Sequence, residues 1–231
     1  NTAINNSSTY RQQDTYKLDI KRSTEKMKLT LKLRDRHILN TAAEALEKVV
    51  FESRKQPWFP HVNALSNYVD WLYSHSIDVA LLSLLLAQEL QLDGKLEEIA
   101  VGAFFHDIGE LLIPRHILQK SGPLTEDEMF FMRQHCDLGV SMLINYDFSP
   151  VTLDVIRYHH EKMDGSGYPC GLKGESIPIH VRIVMVANSI NSMTSYRPYK
   201  PMINAELALM ELKKNKNKYP QDIVDLLCRL M

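Results

Sequence analysis

Residues 96–110 read LEEIAVGAFFHDIGE, and this stretch frames the rest of the chain. Its apolar residues run from Leu96 to Ile108 and stop at Gly109, so it is read as a helix closed by a glycine. Near its end a histidine and an aspartate, His106 and Asp107, stand side by side behind two phenylalanines. That places an imidazole and a carboxylate at the edge of an apolar core, where desolvation strengthens metal binding.

Working outward, one helical pattern follows another. Upstream, the chain from 74 to 92 is strongly apolar and ends before Asp93-Gly94. Downstream, Thr125 to Glu128 form a capping box that opens a helix running to about 144. Ser149-Pro150 is an N-cap followed by proline at the first helical position, starting a helix to about 160. A Gly- and Pro-rich loop spans 164–178, and helical patterns resume over 181–194, 205–216 and 222–230. No alternating strand pattern of useful length occurs after residue 60, so the fold class is all-α: a multi-helix bundle with an N-terminal helical extension. From 35 to 50 the apolar residues recur at helical spacing, and Gln56-Pro57-Trp58-Phe59-Pro60 interrupts them. The domain boundary is placed there, giving 1–60 as a polar lead-in plus helix and 61–231 as the main domain. Residues 1–32 carry no sustained apolar period and are read as a poorly ordered lead-in or linker.

Composition narrows the partners. The 231 residues are 45% hydrophobic and 24% charged with a net charge of −1, which excludes binding to DNA or RNA through a bulk positive field. Cys136, Cys170 and Cys228 show no paired spacing, so neither a zinc ribbon nor a disulfide framework is indicated, and a reducing, cytoplasmic setting is expected. The most apolar run, Val79 to Ala87, is too short to span a bilayer. The sequence starts at Asn1 and is read as part of a longer protein.

Five of the nine histidines fall where a metal would use them. His75 opens one helix, His106 and Asp107 end the next, His135 lies inside a third, and His159 and His160 end a fourth. Imidazole with carboxylate suits Fe, Mn, Ni or Zn. Asp107 can bridge two ions, and two ions can clamp the attacking and leaving oxygens of a phosphodiester. His37, His61, His116 and His180 are read as ordinary histidines.

From His159 the sequence reads HHEKMDGSGYPCGLKGESIP. It resembles the HD-GYP family of the bacterial HD phosphohydrolase superfamily. The HS-x-x-VA run from His75, the HDIG, the KSGPLTEDE run from Lys120 and His135 fall in family order, so the resemblance covers about 68 to the C-terminus. It implies an all-helical HD-type bundle around two divalent metal ions, hydrolysing a cyclic dinucleotide, chiefly cyclic di-GMP, with metal-activated water. By the same resemblance His75, His106 and Asp107 serve one ion, and Asp107 bridges to a second held by His135, His159 and His160. Gly165 and Gly167 shape the GYP loop, Tyr168 borders or stacks on a guanine, and Arg197 and Lys200 of SYRPYK contact phosphate.

Three departures from the family pattern touch the chemistry. Asn188 stands where a metal-ligating aspartate is expected, and an amide oxygen coordinates without charge, so the first-ion site is weakened. Glu110 replaces the lysine of HDIGK. Trp71 takes the place of the glutamate found where a third metal is bound, so a trinuclear centre is not expected. Asn191 is a lesser change, where the family often has a second aspartate. The residues leave two functions open: a cyclic dinucleotide phosphodiesterase, or a catalytically degenerate module that binds a cyclic dinucleotide or a signalling partner such as a diguanylate cyclase. A mononucleotide-hydrolysing HD protein is a third reading, opposed by the GYP loop.

Overall fold

The computed structural model describes residues 2–34, 36–196 and 201–231. Among the described residues the chain forms twelve α-helices linked by turns and short 3-10 segments, with no strand. The all-α expectation is therefore met.

Helix α1 spans Thr2–Leu31, α2 Arg36–Glu52, α3 Phe59–Tyr68, α4 Asp70–Glu89 and α5 Leu96–Phe105. The short α6, Arg115–Leu118, precedes α7 (Glu126–Arg133), α8 (His135–Leu143) and α9 (Pro150–Tyr158). After the GYP loop come α10 (Ile179–Thr194), α11 (Ala205–Lys214) and α12 (Gln221–Leu230). Every residue of α4 from His75 to Ala87 is buried, as are Ile99 to Phe105 of α5. Helices apolar on all sides belong in the middle of a bundle. Accordingly α4 packs on α5, α10, α2 and α1, and α9 covers the other side of α5. These three buried helices supply His75, the approach to His106 and Asp107, and Asn188.

The reading of residues 1–32 as a poorly ordered lead-in is corrected. Thr2–Leu31 form α1, and Tyr16, Ile20, Met27 and Leu31 are buried in the same core as α4 and α10. The buried stripe carries about one apolar residue per turn and is partly filled by Ser23 and Thr24, too sparse a pattern to stand out among lysines and threonines. Its stability comes from docking on α2 and α4 rather than from its own propensity.

Other boundaries shift for local reasons. The helix expected over 125–144 is two helices that break at Gln134, so His135 begins a helix instead of lying inside one. Helix α4 starts at Asp70, placing His75 in its second turn and not at its opening. Helix α5 ends at Phe105, and Ile108–Leu112 form a 3-10 turn, so Gly109 sits inside that turn and does not cap the helix. The interruption at 56–60 ends with α3, which the sequence pattern did not suggest. There Trp58 packs edge-on against Phe105 and tilted against Phe148, with ring centres 5.5 and 5.2 Å apart.

Candidate metal centre

The centre is assembled by a close crossing of backbones. A Cβ built on Gly109 would lie 1.9 Å from the carbonyl oxygen of His135, so only glycine lets the 3-10 turn press against the start of α8. This brings Asp107, which immediately precedes that turn, beside the first residue of α8. Helix α9 then delivers His159 and His160 in the turn that follows Tyr158.

All five histidines and Asp107 converge. Asp107 Oδ2 lies 3.1 Å from His106 Nε2 and 3.7 Å from His75 Nε2, and Oδ1 lies 3.4 Å from both His135 Nε2 and His159 Nε2. The ligand atoms form two groups sharing Asp107: one with His75 and His106, the other with His135, His159 and His160. Within each group they lie within 4.8 Å of one another.

Four of the imidazoles are held from behind. His106 Nδ1 donates to the Ala103 carbonyl at 2.7 Å, His135 Nδ1 to Met132 at 2.7 Å, and His159 Nδ1 to Ile156 at 3.0 Å. His75 Nδ1 donates to Asn191 Oδ1 at 2.6 Å. A carbonyl only accepts, so the backbone-bonded rings carry their proton on Nδ1 and turn the Nε2 lone pair inward. The result is two pairs of opposed nitrogens: His75 Nε2 to His106 Nε2 and His135 Nε2 to His159 Nε2, each at 3.3 Å. Two lone pairs facing at that distance repel unless a cation lies near both. Asp107 Oδ1, buried and without a hydrogen-bond donor, points the same way. The donor set thus fits divalent metal ions on its own chemistry.

Electrostatics agree. Burial pushes His159 down to about 4, more than Asp107 raises it, and burial with His159 and His135 holds His160 well below its ordinary value. Neutral imidazoles are the form that binds metal. Burial alone would raise the Asp107 carboxyl, but the neighbouring His106, His159 and His135 hold it well below the carboxylate range.

A cavity of about 510 Å³ opens onto the centre, lined by Asp107, Glu110, Lys120, His135, His160, Tyr168 and Asn188 among others. That volume is within the range of small-ligand sites. Tyr168 stacks on His160 with ring centres 4.6 Å apart, and Arg133 lies over the tyrosine ring at 5.2 Å. Gly165 adopts φ +81°, and a Cβ on Gly167 would meet Glu161 Cα at 2.4 Å, so both glycines are required where they stand. Asn188 Oδ1 lies 3.1 Å from His75 Nε2 and accepts from Ser192 Oγ at 3.0 Å. Glu110 is buried beside the centre. Trp71 lines a separate cavity on the far side of His75. Arg197 and Lys200 lie outside the described residues. His61 pairs with Tyr146 and His180 with Asp154, both away from the centre.

Sequence reasoning missed Glu161. It is fully buried, and its two carboxylate oxygens accept from the backbone N–H groups of Cys170 and Leu172 at 2.7 and 2.9 Å, tying the GYP loop to the histidine pair. Its position directly after His160 was the available signal. The run from Lys120 also gains a reason: Glu128 caps α7 by accepting from Thr125 N–H and also pairs with Lys120, holding that lysine at the cavity wall.

A family model described as HD domain matches residues 61–223. The chain belongs to the HD domain family. It is 35% identical over 227 residues to a cyclic di-GMP phosphodiesterase of Thermotoga maritima, covering 89% of this chain and 61% of that one. It is 37% identical over 160 residues to the cyclic di-GMP phosphodiesterase PA4108 of Pseudomonas aeruginosa, covering 66% and 39%. The chain therefore spans less than two thirds of the length of these relatives. Among solved structures, the HDG"Y"P protein Bd1817 of Bdellovibrio bacteriovorus aligns with a TM-score of 0.60 at 19% identity, covering 93% of this chain and 68% of that one. This last likeness concerns the fold. The family binds divalent metals, and the His/Asp cluster is able to hold one. Among the described residues no helix is long and apolar enough to cross a membrane.

Proposed function

We propose that this domain, residues 61–231 with 1–60 as its helical extension, is a metal-dependent phosphodiesterase that opens cyclic di-GMP or a related cyclic dinucleotide to a linear product. The carrying observation is the inward-facing set of Nε2 atoms around Asp107 at the base of the cavity. His75, His106 and Asp107 would hold one ion, with Asn188 beside them, and Asp107, His135, His159 and His160 a second. Divalent ions there supply Lewis acidity to the phosphodiester and lower the pKa of water. The chain's own residues set the stage. Among the described residues Asp107 supplies the one carboxylate common to both groups, and the Nδ1 hydrogen bonds fix the ring orientations. Lys120 offers a cation at the cavity wall, and Tyr168, its ring stacked on His160, borders the same cavity. The substrate class puts the reaction in the bacterial cytoplasm.

A second reading, the degenerate module that binds a cyclic dinucleotide or docks a signalling protein such as a diguanylate cyclase, is favoured by Asn188. Rotated by half a turn, its amide donates N–H to His75 Nε2 and Ser192 Oγ and satisfies that side of the centre with no ion. Anaerobic reconstitution with Fe(II) or Mn(II), with cyclic di-GMP followed by chromatography beside a His106→Ala control, separates the two. Linear product that requires His106 supports the enzyme. Bound metal and nucleotide without product rejects it in favour of the module.

A further inference from the structure

We infer that Asp78 is a positioning residue for His75, acting through Asn191 and anchored by Lys26 of α1. The inference rests on the reading of His75 as a metal ligand.

Asn191 lies where an aspartate is common in the family. An aspartate there would accept the Nδ1 proton of His75 directly and so select the tautomer with a free Nε2. An amide cannot do this alone, because it donates and accepts equally well from its two ends. The structure supplies what the amide lacks. Asn191 Nδ2 donates to Asp78 Oδ2 at 3.2 Å, and a carboxylate only accepts, so this bond dictates which way the amide faces. The carbonyl end is then left toward His75, at 2.6 Å from Nδ1, and it too only accepts. His75 must therefore carry its proton on Nδ1 and turn an unprotonated Nε2 toward the centre. The carboxylate has moved one hydrogen bond outward, and the tautomer is still specified.

Asp78 is almost fully buried, on the turn of α4 that follows His75. A buried carboxylate needs a partner. Lys26 Nζ provides it, donating to the same Oδ2 at 2.9 Å from the docked face of α1. Helix α1 lies before the residues that the family model matches, so a segment outside that span takes part in arranging the centre.

The test is Mn(II) binding to the intact chain, with free Mn(II) followed by electron paramagnetic resonance, for wild type, His75→Ala, Asp78→Asn, Lys26→Met and the exchange Asp78→Asn with Asn191→Asp. His75→Ala should lose one of two ions. If it binds both as wild type does, the ligand reading itself fails and the inference goes with it. Given that loss, Asp78→Asn should weaken the same ion by roughly 10- to 100-fold and leave the other unchanged, which also shows that the fold is intact. The exchange variant, which returns a carboxylate to His75, should recover most of the affinity. Lys26→Met should weaken the first ion in the same direction and by less, because Asp78 loses the ion pair that holds its carboxylate in place while keeping its bond to Asn191. Wild-type affinity in Asp78→Asn, equal weakening of both ions, or no recovery in the exchange variant would overturn the assignment. Wild-type affinity in Lys26→Met would remove α1 from it.

Discussion

Asn188 is the residue on which the balance between enzyme and module turns. Its oxygen stands 3.1 Å from His75 Nε2 but brings no charge. Asn188→Asp should tighten the first ion by roughly tenfold or more, on the scale of changes around metal ligands, and raise turnover of cyclic di-GMP. A titration with Mn(II) beside the hydrolysis assay checks both, and an unchanged affinity would show that the amide already serves as well as a carboxylate. Glu161 makes a different prediction. Its two bonds to Cys170 and Leu172 N–H groups are charge-assisted, each worth about 1.5–3 kcal/mol. Glu161→Gln should therefore cost about 2 kcal/mol in a denaturant titration and reduce kcat/KM by loosening the loop that carries Tyr168. The histidines were legible because imidazoles clustered at helix ends are uncommon without a use. Glu161, Asp78 and Lys26 were not, because a carboxylate's partner 11, 113 or 52 residues away leaves no trace in spacing.

At the scale of elements, the crossing of the HDIG turn with α8 holds the two halves of the centre together. Gly109→Ala would drive a methyl group into the His135 carbonyl. The expected result is a loss of about 3 kcal/mol together with metal stoichiometry, read by thermal unfolding and elemental analysis of one preparation. A folded, fully metallated Gly109→Ala protein would mean that the turn can slide away. The capping box of α7 was read from sequence and is present with both of its bonds. Thr125→Ala should cost about 1 kcal/mol in urea unfolding, with little change in metal content, since α7 lies on the rim. The break at Gln134 escaped notice because its backbone stays in the helical region, at φ −65° and ψ −18°, and hardly disturbs the apolar period. The shortened α5 escaped for a related reason: a 3-10 turn continues a helical pattern for several residues.

For the molecule as a whole, α1 is part of the core. Ile20 is 2% exposed, and Ile20→Ala should destabilise the domain by about 2–4 kcal/mol in a single cooperative transition. A wild-type midpoint would mean that α1 undocks freely. The ligand cluster lies in surroundings that are already packed, so stripping metal from it should leave helical circular dichroism nearly intact while lowering the melting temperature. With free metal at about 100 times Kd, that stabilisation is about 2.7 kcal/mol for each ion bound.

Helical class, the histidines that converge on Asp107, and the capping of α7 and α9 could all be read along the chain. Each depends on residues within one or two turns of one another, or on side chains whose chemistry is specific wherever they fall. The folding of 1–32 into α1, the facing pairs of Nε2 atoms, and the Lys26–Asp78–Asn191 line behind His75 emerge only in three dimensions. They depend on which surfaces meet when α1, α4 and α10 pack, and no local period records that choice.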